Sequence, residues 1–358
     1  MDLQLTDELV QGASFRTFTI VRSGKQRRIH APNRLMKSVH IAIRGQVEPL
    51  IPAMHNGTAY RPGCSPVKNA AMHAGNRFGY ELDLRNAFPS TRVSWTAEAI
   101  RAFRPFEPGD LDDQLSLDEG LIEEVLAKFC FENNHYGLVQ GGPASPFLYE
   151  LTAIWRLDGS LQQYCKRKGI TYTRYVDDLT FSSAEPIGKH KRSAICKIVR
   201  ESGFRINGRK ARTWDLNDGP ARITGVMLSK DGRLAMPGGY LRKTAYLMHQ
   251  TAEVLSRGGD PVLTRNGQTV IDKHGQPVSY HAVINGLWAA YVGVTYFQPR
   301  PLSSLEKRVE HARKRYLAQR DLEIMDNLYN MFHRTPRFRF RIPQPPPPDV
   351  AIQRRQRG

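Results

Sequence analysis

Two adjacent carboxylates, Asp177 and Asp178, stand where a run of strand-forming residues turns back on itself: Tyr172, Tyr175 and Val176 precede them, and Leu179, Thr180 and Phe181 follow. An isolated acidic pair is an ordinary solvated turn, because Asp readily bonds its own backbone there. Here the flanks are apolar, so the pair forms the tip of a predicted hairpin. Two negative charges crowded at such a tip call for a cation. A third carboxylate, Asp83, ends another predicted strand, Tyr80-Glu81-Leu82-Asp83, and is followed by Arg85, Asn86, Phe88 and Pro89. Hard carboxylate oxygens from neighbouring strands suit Mg²⁺, and two such ions activate an attacking hydroxyl and steady a departing pyrophosphate. The reaction class these residues indicate is nucleotidyl transfer.

Other elements must position them. From Ser14 to Ile29 the chain alternates Phe15, Thr17, Thr19 and Val21, turns at Ser23-Gly24 and returns through Lys25, Arg27 and Arg28, which predicts a basic β-hairpin. Leu35, Val39, Ile43 and Val47 recur at helical spacing until Pro52, and a turn follows at Arg61-Pro62-Gly63. Pro105 to Asp118 reads as a loop, and Leu121, Ile122, Val125, Leu126 and Phe129 as an amphipathic helix. Phe147, Leu151, Ile154, Trp155 and Leu161 mark a longer helix ending at Gly169. A helix through Ala194, Ile195, Ile198 and Val199 ends at Gly203, with strands predicted at Phe204–Ile206 and Ile223–Leu228. Beyond Gly239 helices are predicted at about 240–257, 281–297 and 303–333, around a Gly-rich segment from Gly258 to Gly275. Pro336 to Gly358 is basic, Pro-rich and too poor in apolar side chains to build a core, which predicts a flexible tail.

Composition narrows the partner. The chain has 358 residues, 52 Lys or Arg against 34 Asp or Glu, for a formal charge of +18. That excludes an acidic disordered protein and favours a polyanion, nucleic acid first, because each neutralised phosphate releases condensed counterions. Cys64, Cys130, Cys165 and Cys196 lack the paired spacing of a zinc site and the density of a disulfide framework, so reduced thiols in a cytoplasmic protein are expected. The amino terminus lacks the basic and apolar regions of a signal peptide. The apolar stretch from His281 to Pro299 is interrupted by Asn285, Gly286 and Gln298 and reads as a buried helix rather than a membrane span.

At the acidic residues the sequence resembles the palm-type reverse transcriptases, and among them the bacterial retron type, from about Arg28 to Asn285. Tyr175-Val176-Asp177-Asp178 resembles the Y-x-D-D turn, and Asp83-Leu84-Arg85-Asn86-Ala87-Phe88 the preceding metal-binding strand end. Gly137 to Pro146, read as Gly-Leu-Val-Gln-Gly-Gly-Pro-Ala-Ser-Pro, resembles G-L-x-Q-G-x-P-x-S-P, and Arg28-Ile29-His30-Ala31-Pro32 resembles the fingers motif. Ile206-Asn207 with Lys210 resembles the lysine-bearing segment after the palm. Asn69-Ala70-Ala71-Met72-His73 fits N-A-x-x-H of the retron enzymes, and Ile223-Thr224-Gly225 differs from their V-T-G by one β-branched exchange. As residues alone, Asn69 and His73 read as a polar pair four apart on a helix.

The resemblance implies an α+β right-hand polymerase: fingers and amino-terminal region over 1–79, a palm on an antiparallel sheet with interleaved fingers segments over 80–238, a helical thumb over 239–335, and the tail over 336–358. It implies that Asp83, Asp177 and Asp178 are catalytic and hold two Mg²⁺. Phe88 is the implied steric gate against the sugar 2′ position, Gln140 and Gly141 line the nucleotide pocket, and Arg28, with help from Arg27 or Lys25, grips the triphosphate. Lys210 is the candidate proton donor to pyrophosphate, or else a surface lysine. Asn69 and His73 are assigned to RNA, and Lys307, Lys314 and Arg315, near one helix face, to duplex phosphates or a merely solvated face. Trp288, Tyr291, Tyr296 and Phe297 are left between base stacking and core.

The implied function is an RNA-directed DNA polymerase that binds a structured noncoding RNA encoded beside it, primes from an internal guanosine 2′-hydroxyl and joins multicopy single-stranded DNA to RNA, in antiphage defence. Deoxynucleoside triphosphates are the substrates. With no G-x-x-x-x-G-K-[ST] loop and no H-E-x-x-H motif, the effector is expected to be a separate protein. Two alternatives stay open: another bacterial reverse transcriptase (mobile-intron, diversity-generating or otherwise defence-associated), and a catalytically idle RNA-binding protein on a palm scaffold.

Overall fold

The computed structural model describes residues 12–22, 25–52, 57–60, 63–104, 119–259, 262, 264–265, 268–271, 276–298 and 300–334. The Ser23-Gly24 turn, Arg61-Pro62, the 105–118 segment and the tail from Pro336 lie outside them. The chain divides into two units, Met1–Pro237 with Val292–Arg300, and Gly238–Tyr291 with Pro301–Gly358.

In the first unit, β1 (Phe15–Arg22) and β2 (Lys25–Pro32) form the expected hairpin, paired Phe18 to Ile29. Helix α1 (Arg34–Val47) starts where the Asn33 side chain accepts from the Met36 amide at 2.8 Å. Its buried face is Met36, Val39, His40, Ile43 and Val47, while Leu35 is exposed. The apolar pattern missed this rotation because His40, a polar residue, fills the stripe. Its Nδ1 accepts from the Ala144 amide at 3.3 Å, so Nε2 donates to the Phe129 carbonyl at 2.9 Å. Burial lowers the His40 pKa to about 4, and the ring stays neutral.

Short helix α2 (Pro66–Ala71), capped by Ser65, leads to β3 (Phe78–Asp83). Then come α3 (Ala87–Ser90), α4 (Val93–Phe103), α5 (Glu119–Cys130) and α6 (Ser145–Ala153). The long helix predicted after Pro146 is one rod with a π-type turn at Ile154–Asp158 before α7 (Gly159–Arg167). That inserted turn shifts the helical phase, leaving Trp155 exposed and Asp158 buried.

Strands β4 (Thr171–Tyr175) and β5 (Asp178–Ser183) are followed by α8 (Lys189–Glu201) and β6 (Arg212–Asp215), giving an antiparallel sheet of order β4-β5-β3-β6. Strand alternation sends Tyr80, Leu82, Tyr172, Leu179 and Phe181 to the helix-covered face, where all are buried. Phe204–Ile206 is not a strand: only Ile206 bridges Leu84. The single strand predicted at Ile223–Leu228 is a hairpin, β7 (Ala221–Ile223) and β8 (Val226–Leu228), because Thr224 and Gly225 both take positive φ. β9 (Leu234–Ala235) adds to it.

In the second unit, α9 (Gly238–Ser256) packs along the last helix, and short strands β10 (Thr264–Arg265) and β11 (Gln268–Thr269) fall in the Gly-rich segment. Helix α10 (Tyr280–Phe297) follows, its residues from Val292 grouped with the first unit. The last helix, α11 (Ser304–Arg334), begins with a reciprocal cap: the Ser303 amide donates to Glu306 Oε2 at 2.8 Å and the Glu306 amide donates to Ser303 Oγ at 3.3 Å. Among the described residues no helix is long and apolar enough to cross a membrane.

Candidate active site

The sheet joins the two acidic segments. β3 and β5 run antiparallel with Asp83 opposite Asp178, and the Leu84 amide donates to the Asp177 carbonyl at 2.8 Å. Paired residues project from the same face, so residues nearly a hundred positions apart present carboxylates together. The turn between β4 and β5 places Val176 at φ 59°, costly for a β-branched side chain. Its carbonyl is held from beneath by Arg174 Nη1 and by the Tyr149 hydroxyl, each at 3.3 Å.

Arg174 is fully buried and clamped by two acids. Its Nε and Nη2 reach Asp158 at 2.9 and 2.7 Å, Nη1 reaches Glu150 at 2.8 Å, and Tyr172 donates to Asp158 at 2.7 Å. The fork of a guanidinium holds two carboxylates and a carbonyl at fixed angles, which a lysine cannot. Sequence reasoning missed this cluster. The available signal was an arginine on the same strand face as Tyr172, together with two acids on an otherwise apolar helix.

Above the clamp the electrostatics are those of crowded anions. Burial pushes the Asp178 carboxyl up to about 6, with Asp177 and Asp83 adding repulsion, and burial followed by Asp83 raises Asp177. Asp83 is buried and spends its oxygens on neighbours: Asn207 Nδ2 donates to Oδ1 at 2.8 Å and the Lys210 ammonium pairs with Oδ2. Burial opposes charge on Lys210, but the Asp83 hydrogen bond and the three aspartates raise its pKa. Among the described residues no three acidic, His or Cys side chains stand together in ready coordination geometry. The donor chemistry still fits a divalent cation: the charge of Asp83 raises Asp177 and Asp178, and the three carboxylates share one end of the sheet.

The remaining expected residues divide. Phe88 is half-buried and stacks on Tyr149 at 4.8 Å, so the ring that supports the Val176 carbonyl also backs the proposed gate. Gln140 accepts from the His30 amide through its carbonyl at 2.8 Å. Gly141, at φ 123°, has no room for a side chain, since a Cβ would stand 2.6 Å from the His30 carbonyl. This glycine lets β2 close on the Gln140 bend. Arg28 is exposed and lies 3.8 Å from Glu132, which also meets His30 at 3.0 Å. The charge of Arg27, on the same strand, lowers the Asp177 pKa against the larger upward push of burial.

Asn69 and His73 are corrected. Both are fully buried and have no surface for RNA. Asn69 Oδ1 accepts from Thr58 at 3.0 Å and its amide donates to Thr224 Oγ1 at 3.3 Å, while His73 bonds Ser182 at 2.7 Å and Thr173 at 2.8 Å. The N-A-x-x-H and I-T-G patterns therefore meet in one polar knot against the sheet. Burial lowers His73 to about 3. In the second unit, Lys307, Lys314 and Arg315 are exposed with Arg308 and His311 along α11. Tyr291 is buried, and Trp288 lies under the Arg313 guanidinium at 4.2 Å.

A site of paired acidic strand ends on a four-stranded antiparallel sheet defines an α+β polymerase fold. The family profile described as Reverse transcriptase (RNA-dependent DNA polymerase) matches residues 19–228, and the chain belongs to that family. It is 31% identical over 212 residues to the Retron Mx65 reverse transcriptase of Myxococcus xanthus, covering 58% of this chain and 49% of that protein. It is 28% identical over 225 residues to the Retron Ec86 reverse transcriptase of Escherichia coli, covering 61% and 64%. The match thus spans about half to two thirds of these relatives' lengths. Among solved structures, telomerase from Candida albicans with a TWJ fragment of telomeric RNA aligns with TM-score 0.45 and 9% identity, over 88% of this chain and 61% of that one. Apo telomerase from Candida tropicalis aligns with TM-score 0.45 and 10% identity, over 68% and 52%.

Proposed function

We propose that the chain is an RNA-directed DNA polymerase of the retron kind, copying part of a cognate structured noncoding RNA into single-stranded DNA that stays joined to RNA. The observation that carries this reading is the register pairing of Asp83 with Asp178, with the Asp177 carbonyl bonded by the amide of Leu84, the residue after β3. In this reading the primer hydroxyl attacks the α-phosphorus of a deoxynucleoside triphosphate, a phosphodiester bond forms, and the bond to pyrophosphate breaks. Asp83, Asp177 and Asp178 would hold two Mg²⁺, which when bound supply Lewis acidity to the attacking and leaving oxygens. Arg27 and Arg28 supply cations to the triphosphate from β2. Phe88, backed by Tyr149, limits the space at the sugar 2′ position. Lys210, protonated at neutral pH, stands beside Asp83 as donor to the departing pyrophosphate.

In the same reading the protein primes from an RNA 2′-hydroxyl, makes multicopy product in a cytosolic setting and serves antiphage defence with a separate effector. Nucleic acid copurified from the native host tests this on a denaturing gel, beside the Asp177→Asn/Asp178→Asn variant. The reading expects a discrete DNase-sensitive species that shortens with RNase and is missing from the variant. RNA without attached DNA in the unsubstituted protein would refute it.

A further inference from the structure

The sheet has a second face, and the helices that cover it carry a cluster of cations. Tyr80 and Asp83 are three residues apart on β3, so they project to opposite faces, and Tyr80 packs beneath α8 with its hydroxyl 3.3 Å from Cys196 Sγ. On that face α7 ends in Lys166 and Arg167 with Lys168 as its cap, all exposed, and α8 begins with Lys189, Lys191 and Arg192. The two helices are tied where the Tyr164 hydroxyl donates to the Lys191 carbonyl at 3.5 Å. A cavity of about 460 Å³ opens beside the α8 cluster, lined by Lys189 and Arg192 together with Tyr80, Ser193 and Thr213.

These charges do not serve the helix that carries them. The first turn of α8 has no acidic residue and its cap, Gly188, makes no side-chain hydrogen bond, so cations sit at the positive end of the helix dipole. Among the described residues neither Lys189, Lys191 nor Arg192 has an ion-pair partner, whereas Arg77, Arg174, Lys197 and Arg212 all do. Arg192 instead lies over the Tyr80 ring at 5.8 Å, which orients its guanidinium at the cavity wall. Convergent cations with neutral hydroxyl donors match phosphodiester oxygens.

We propose that this helix-covered face, formed by the end of α7, the start of α8 and the cavity between α8 and the sheet, binds the phosphodiester backbone of a nucleic-acid strand that continues away from the catalytic face. The inference rests on the reading that the protein copies a cognate structured RNA. Its test therefore reads binding in the Asp177→Asn/Asp178→Asn protein, where loss of synthesis has no effect on the result.

Fluorescence anisotropy with a 40-nucleotide uridine homopolymer, titrated at several salt concentrations, compares that protein with one also carrying Lys189→Gln/Lys191→Gln/Arg192→Gln. Three lost phosphate contacts reduce the slope of log affinity against log salt by about 2 on a single strand. Lys197→Gln/Arg200→Gln, at the other end of α8, is the control and leaves the slope within half of that change. A thymidine deoxyhomopolymer arm distinguishes DNA from RNA as the source of the phosphates. Without substitutions, the RNA should protect Lys189 and Lys191 from acylation at least severalfold more than Lys197. An unchanged slope with unprotected lysines overturns the proposal, as does an equal fall in the control. Protection by phosphatidylserine vesicles but by neither homopolymer would assign the face to a membrane and overturn it as well.

Discussion

Arg174 shows how a charged residue can be structural and still govern chemistry. Removing one partner of a buried ion cluster leaves the others uncompensated, so Arg174→Met should cost about 3–5 kcal/mol. Urea unfolding monitored by fluorescence would show it as a lowered midpoint, and Arg174→Lys should recover only part of the loss. At the gate, Phe88→Ala should raise ribonucleotide incorporation relative to deoxynucleotide by on the order of tenfold or more, read by competing the two in primer extension. The buried histidines set a pH dependence. His73 and His40 are lowered from 6.5 to about 3 and about 4, so both stay neutral in the fold and take up protons on unfolding. Their contribution is present above pH 6.5 and falls by about 1.4 kcal/mol per histidine for each pH unit below it, until the folded values are reached. Asp178, raised to about 6, acts in the opposite direction, because protonation relieves its burial. A His73→Gln variant should accordingly lose less stability than the unsubstituted protein between pH 6.5 and 4.5 in thermal melts. The three aspartates were legible from residue type and flanking pattern. Burial was not: N-A-x-x-H names residues without saying which way they face, so Asn69 and His73 were assigned to RNA when they knit the sheet to α2.

At the scale of elements, the hairpin around Asp177 follows from strand alternation and was readable, whereas the register of β3 against β5 joins segments distant in sequence and was not. What alternation could not supply was phase. A polar His40 inside the apolar stripe hid the buried face of α1, and the π-type turn at Ile154–Asp158 shifted the rod so that Trp155 faces outward and Asp158 inward to Arg174. The Ile223–Leu228 strand became a hairpin because an apolar run gives no notice of a positive φ at Thr224. The Gln140 bend is positioned by another close approach, β2 against Gly141. A methyl group there meets the His30 carbonyl at 2.6 Å in a strained φ, so Gly141→Ala should destabilise the fold by about 1–3 kcal/mol and raise the KM for nucleotide. Denaturant midpoints and steady-state kinetics measure the two effects separately.

For the whole molecule, a charge of +18 pointed to nucleic acid without locating it. The structure distributes that charge into α11, β2 and the α7–α8 face, and only the first two stood out in the sequence, since short basic runs read as solvated surface until their partners are counted. The family relation covers 19–228, so the polymerase reading is strongest where the acidic strand ends lie. Primer extension on an added RNA template, with deoxynucleoside triphosphates and Mg²⁺, tests it most directly when the purified protein is compared with the Asp177→Asn/Asp178→Asn variant at matched RNA occupancy. The account predicts template-length DNA from the first and at least a thousandfold less from the second, on the order of 4 kcal/mol in barrier, with RNA binding retained. Equal synthesis by both proteins, or none by either while RNA is bound, would contradict it.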